Sequence, residues 1–79
     1  MGKKRAKPDV RDKFGFAVKV RREELGQTQE DLAEKAQIHR TYISDIERGQ
    51  RNVSLINIER LAAALSMTMS ELFALVEKP

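Results

Sequence analysis

The chain of 79 residues contains no cysteine and no tryptophan. Without cysteine it can form neither a disulfide nor a cysteine–zinc site, and the absence fits a reducing compartment. Proline is confined to Pro8 and Pro79, so the run from Asp9 to Lys78 has no proline breaker and is open to helix throughout. Aromatic residues make up 5% of the chain. No apolar run approaches the ~20 residues of a membrane span. The basic N-terminus has no apolar stretch after it and does not read as a secretory signal. Ala6 stands where N-myristoylation needs Ser or Thr. There is no glycine-rich phosphate loop and no pairing of a nucleophile with a base. His39, the one histidine, has no companion ligands near it in sequence. The chain is therefore expected to be neither an enzyme nor a holder of a metal or cofactor.

A chain of this size supports one domain with a modest core. Such a domain needs well-chosen helix packing, a staple or a partner, and with disulfides excluded a second chain is the natural candidate. Net charge is +3, but it is unevenly spread. Residues 1–13 carry six basic groups against two acidic ones, a net +4. The other residues carry nine basic and ten acidic groups, a net −1. Residues 1–9 thus read as a flexible basic arm, and residues 10–79 as a nearly neutral folded domain. A basic arm suits nucleic acid, with Lys3, Lys4 and Arg5 placed to add a backbone or minor-groove contact. It also suits a merely solvating tail.

The spacing predicts an all-α domain of five helices. The first runs from near Asp9 to near Leu25, capped by Asp9 or Asp12. Phe14, Ala17, Val18, Arg21 and Leu25 share one of its faces, Gly15 weakens it unless close packing uses the glycine, and Gly26 stops it. The second opens at Thr28 on a capping box with Asp31, and buries Leu32, Ala33 and Ala36. Gln37-Ile38-His39 is a short turn. The third helix runs from about Arg40 to Arg48, with Ile43 and Ile46 on one face, and Gly49 ends it. The fourth is capped by Ser54 and aligns Leu55, Ile58, Leu61, Ala62 and Leu65. The fifth opens on the capping box Thr68-Met69-Ser70-Glu71 and continues through Leu72, Phe73 and Val76. Sustained alternation and Asn-Gly or Asp-Gly turns are missing, so strands are not expected.

About three residues join the second and third helices, which forces the sharp angle of a helix-turn-helix. Ala33 is the small contact residue such a motif wants, Ile38 plugs the turn, and Ile43 and Ile46 anchor the third helix. A helix in the major groove offers its N-terminal half to base edges. Here that half presents Arg40, Thr41 and Ser44, with Asp45 beside them. Arg40 can donate two hydrogen bonds to guanine, and Thr41 can offer a methyl to thymine or a hydroxyl bond. Thr28 and Gln29, at the start of the second helix, suit a phosphate. His39 suits a helix cap or a phosphate neighbour. Arg48, Arg51 and Asn52 flank the other side as phosphate contacts, with Arg51 able to reach a base.

Arg22, Gly26, Thr28-Gln29-Glu30-Asp31-Leu32-Ala33, Ile38 and Tyr42-Ile43-Ser44-Asp45-Ile46-Glu47-Arg48-Gly49 together resemble the Cro/lambda-repressor-like (Xre-type) helix-turn-helix family. The stretch from His39 to Gly49, followed by Arg51-Asn52-Val53-Ser54-Leu55, is most similar to the controller proteins of restriction–modification systems. The resemblance spans about residues 12–77. It implies DNA contact by Arg40, Thr41 and Ser44, with Tyr42 at a base or phosphate, and an ion pair between Arg22 and Glu47. Two positions depart from the pattern. Gln37 stands where the turn usually has Gly, and Gln27 where an apolar residue is usual.

One helix-turn-helix reads too few base pairs for useful specificity, so a homodimer on palindromic double-stranded DNA is expected. Met67, Met69, Leu72, Phe73 and Val76 are its candidate interface, although Leu72 and Phe73 equally suit the monomer core. The function expected is transcription regulation in the cytoplasm by a DNA-binding homodimer, a controller protein that autoregulates its operon and both activates and represses. Glu30 and Glu34 offer an acidic face to RNA polymerase. The alternative is an antitoxin whose main partner is a toxin protein. Only residues 1–9 lie outside the domain, which leaves little for a toxin-wrapping segment.

Overall fold

The computed structural model describes residues 7–78. Most of the expected basic arm, including Lys3, Lys4 and Arg5, lies outside the described residues. Five helices follow one another, α1 (Val10–Glu24), α2 (Gln29–Ala36), α3 (Arg40–Glu47), α4 (Leu55–Ala64) and α5 (Met69–Val76), with no strand among the described residues.

Each helix starts on a side chain that satisfies an otherwise orphaned backbone N–H. Asp9, Thr28 and Thr68 do so within reciprocal capping boxes, with Asp12, Asp31 and Glu71 as the returning carboxylates. Asp31 serves as well as Glu does. The Thr28 N–H donates to its carboxylate at 2.9 Å, and the Asp31 N–H donates to the Thr28 hydroxyl at 3.0 Å. His39 and Ser54 cap α3 and α4.

The first four helices also stop alike. Gly26, Gln37, Gly49 and Ser66 all take positive φ, and the N–H after each returns to a carbonyl one turn back, as in Ile38 to Ala33 at 3.0 Å and Met67 to Ala62 at 2.9 Å. Gln37, at φ 57 and ψ 46, adopts the left-handed conformation without glycine, at a cost of roughly 1 kcal/mol. The turn angle survives because Ile38, the next residue, is buried. Ser66 carries the same strain, and nothing in its sequence context singled it out.

Val18, Leu32, Ile43, Ile46, Leu61, Leu65 and Leu72 are the innermost side chains. They join α1 to α3 and α5, α2 to α3 and α4, and α4 to α5. Phe14 and Phe73 close one side with their rings 6.0 Å apart. Three expectations are corrected here. Leu55 is 72% exposed rather than part of the buried stripe of α4. The stripe is centred on Leu61, Ala62 and Leu65, and at 100° per residue Leu55 falls roughly 70° from that centre. Leu25 is the C-cap of α1 and stays exposed, because the chain turns away there. Arg21 is only partly buried, and it spends its Nε–H on the carbonyl of Leu65 at 3.0 Å.

Candidate nucleic-acid interface

Ile43 and Ile46 are 0% and 1% exposed. With these two facing the core, 100° per residue carries Thr41, Ser44 and Arg48 to the opposite side of α3. Arg40 lies at the margin of that side and is exposed, as is Thr41. Among the described residues Arg40 makes no ion pair and no side-chain hydrogen bond, so its five donors point to solvent. His39 accepts the Thr41 N–H on Nδ1 at 3.3 Å. Its proton then sits on Nε2, which is left to donate outward.

The angle of α3 is fixed from behind. Arg22 of α1 grips Glu47 with a two-pronged fork, Nε to Oε2 at 2.7 Å and Nη2 to Oε1 at 3.1 Å, and spends Nη1 on the Gln27 carbonyl at 2.8 Å. The side chains are 10% and 4% exposed. Hydrogen bonding to Glu47, ahead of the opposing effect of burial, raises the Arg22 pKa further above its ordinary value, so the guanidinium stays charged. Gln29 of α2 donates to the same Glu47 carboxylate at 3.0 Å. Glu47 thus ties three helices together. One of the two Gln29 amide N–H groups is thus engaged inward, which leaves the other for the phosphate expected there. No periodicity signals such a bond; only the fold brings residues 29 and 47 together. Thr28 is exposed, and its hydroxyl serves the α2 cap. Gln27 turns its amide N–H toward the Ala64 carbonyl at 3.5 Å and leaves a buried Oε1 without a protein partner, a polar cost where an apolar residue is usual.

On the far side, Asp45, expected beside the base-reading residues, is a hub for two arginines. Its carboxylate accepts from Arg48 at 2.5 Å and from Arg51 at 3.0 Å, and is itself only 16% exposed. Arg48 also donates to the Ser44 hydroxyl at 2.6 Å. Arg51 lies over the half-buried Tyr42 ring, 4.9 Å from its centre, a cation–π arrangement. Asn52 is exposed beside them. The structure therefore brings Arg40, Thr41, Ser44, Arg48, Arg51 and His39 onto the outward side of the motif, with Tyr42 and Asp45 beneath.

Within one chain, the residues of the expected dimer face divide between core and surface. Leu72 and Val76 are 0% and 4% exposed and belong to the monomer core, and Phe73 and Met67 are half-buried against it. Only Met69 of that group is exposed. Among the described residues, the exposed large apolar side chains of the C-terminal half are Leu55, Ile56 and Met69, of which the first two lie outside the expected face. Three or more metal-ligating side chains do not converge among the described residues, and no helix there is long and apolar enough to cross a membrane.

Comparison with known proteins agrees with this geometry. The helix-turn-helix family model matches residues 18–72, from the middle of α1 to α5. The control protein C.MunI of Mycoplasma sp is 45% identical over 89% of this chain and 96% of its own length. The restriction-modification controller protein C.AhdI of Aeromonas hydrophila superposes with a TM-score of 0.78 at 46% identity, over 80% of this chain and 96% of the other. The controller C.Esp1396I, solved as a tetramer on its natural 35 base-pair operator, gives a TM-score of 0.84 at 38% identity over 91% of this chain and 95% of the other. The chain belongs to the helix-turn-helix family, in the group of restriction-modification controller proteins.

Proposed function

We propose that this chain is a sequence-specific DNA-binding transcriptional regulator that acts as a homodimer on palindromic operator DNA, and that it controls its own operon as a restriction-modification controller. One observation carries the reading. The first turn of α3 holds Arg40, exposed and, among the described residues, without a side-chain hydrogen bond or ion pair, at the margin of the outward side of a helix whose inner side is locked into the core. A guanidinium so placed donates in parallel to guanine O6 and N7, while His39 and the arginines behind it contact phosphate. A single such helix reads a few base pairs, and a two-fold pair reads half-sites about one turn apart. Leu55, Ile56 and Met69 are exposed apolar residues of the C-terminal half available to build that pair.

C.Esp1396I is a controller seen on operator DNA, and the control-protein relatives favour this reading over an antitoxin. Glu30 and Glu34, exposed on α2, are the acidic side chains offered to RNA polymerase. The work belongs in the cytoplasm with the DNA and needs no catalysis. Footprinting the DNA upstream of the protein's own gene tests the reading. Protection of a palindrome is expected at moderate salt, and an unprotected upstream region would overturn it.

A further inference from the structure

We infer that Asp45 is a positioning residue that sets how sharply this protein distinguishes its operator from other DNA, by holding Arg48 and Arg51 back until a fitting site draws them off. The inference rests on the DNA-binding reading above. A carboxylate on the recognition helix repels a polyanion, so its presence there needs a reason. Asp45 has both oxygens occupied. Oδ1 accepts from Arg48 at 2.5 Å, and Oδ2 accepts from Arg51 Nε and Nη2 at 3.1 and 3.0 Å. The carboxylate is 16% exposed, against 54% and 49% for the two arginines that cover it. Each arginine has a second hold on α3, Arg48 on the Ser44 hydroxyl at 2.6 Å and Arg51 over the Tyr42 ring. Two cations at the edge of the interface are thereby folded onto the helix, whereas Arg40 makes no ion pair or side-chain hydrogen bond among the described residues.

Ion pairs this open to water are weak, so the clamp is reversible. A phosphate or guanine edge at the right place displaces the carboxylate. A duplex of the wrong sequence offers undirected phosphates alone, and its binding is nearly all electrostatic. Withholding two arginines therefore falls hardest on the wrong DNA. Specificity is a difference of two affinities, and Asp45 enlarges it from the unwanted side.

The test compares wild type with Asp45→Asn on two duplexes, one enriched by the wild-type protein from a randomised pool and one with the same bases shuffled, across a salt series. Asp45→Asn should bind the shuffled duplex tighter, on the order of 5-fold, with its salt slope steepened by up to about 0.9 per arginine released. The enriched duplex should change less, so the affinity ratio falls. Simple removal of a repelling charge is separated by adding Arg48→Ala and Arg51→Ala together to both proteins. The loss of shuffled-duplex binding should be larger in the Asp45→Asn background, where the arginines are free. An equal or smaller loss there, or an unchanged ratio in Asp45→Asn, overturns the inference while leaving DNA binding intact. If the wild-type protein enriches no sequence at all, the DNA-binding reading fails first and takes this one with it.

Discussion

Gly15 of α1 faces the backbone carbonyl of Ile46 in α3 so closely that a methyl group on Gly15 would overlap that oxygen and come within 3.0 Å of the Glu47 carbonyl. Alanine is the better helix former by about 1 kcal/mol, so propensity alone recommends Gly15→Ala. The obstructing atoms are backbone, however, and cannot rotate away. Overpacking of this kind costs about 1–3 kcal/mol or more. Gly15→Ala should lower the urea midpoint and, because α3 is the element displaced, weaken operator binding as well. A midpoint equal to or above wild type would refute the close-packing explanation.

Arg22 and Glu47 make a different kind of contact between the same two helices. Removing one partner strands a charge with 4–10% exposure, which typically costs about 3–5 kcal/mol. Arg22→Met and Glu47→Leu should each destabilise by that order. The double variant should cost less than the two singles together, because it leaves neither charge stranded. Urea unfolding of all four proteins gives the coupling, and strictly additive losses would argue that the pair is not a unit.

Local chemistry explains why so much of this fold could be read in advance. The capping boxes at Thr28 and Thr68 and the stop at Gly26 are signals confined to a few residues, and Ile38, Ile43 and Ile46 follow a fixed register. Side-chain pairings across the fold have no such signature. The bond from Gln29 to Glu47 spans 18 residues, and nothing near residue 29 in the sequence signals it. Asp45 looked like a base contact because its position on the helix is correct for one. Only the loop that returns Arg51 brings a second arginine onto its carboxylate. Leu72 and Leu55 share one ambiguity. Both fit a helical stripe, but stripe membership does not say which partner, core or second chain, covers the residue.

Arg40 is the residue on which base readout most depends. Arg40→Ala should weaken operator binding by about 5- to 150-fold, the ~1–3 kcal/mol of a bidentate guanine contact, and change binding to a shuffled duplex far less. A gel-shift titration of both duplexes decides the matter. Equal losses on the two would assign Arg40 to phosphate instead.

The α2 cap gives the stability a defined acid limb. Hydrogen bonds from the Thr28 backbone N–H, then from its side chain, lower the Asp31 pKa below its ordinary value. A depressed carboxylate pKa stabilises the fold above the unfolded value, about 3.9 for Asp, and that contribution disappears as pH falls through the folded value. Asp31→Asn should therefore melt below wild type near pH 6, and the gap should narrow as the pH is taken below about 4. A gap that stays constant across the acid range would show that the carboxylate charge is not what matters.

Leu55 and Ile56 are 72% and 63% exposed at the start of α4. Burying a Leu or Ile side chain is favourable by about 1.5–3 kcal/mol, and a two-fold interface buries each residue twice. That gain is of the same order as the cost of association, so losing it should tip the balance toward monomer. Leu55→Asp combined with Ile56→Asp should shift sedimentation equilibrium to monomer, with helical circular dichroism unchanged because neither side chain is in the core. Operator binding should then require much more protein and lose its dependence on both half-sites. Met69→Asp provides the contrast, since it alone of the fifth-helix candidates is exposed. If that substitution separates the subunits while the α4 pair leaves them together, the interface lies on α5, and the exposed residues of α4 need another explanation.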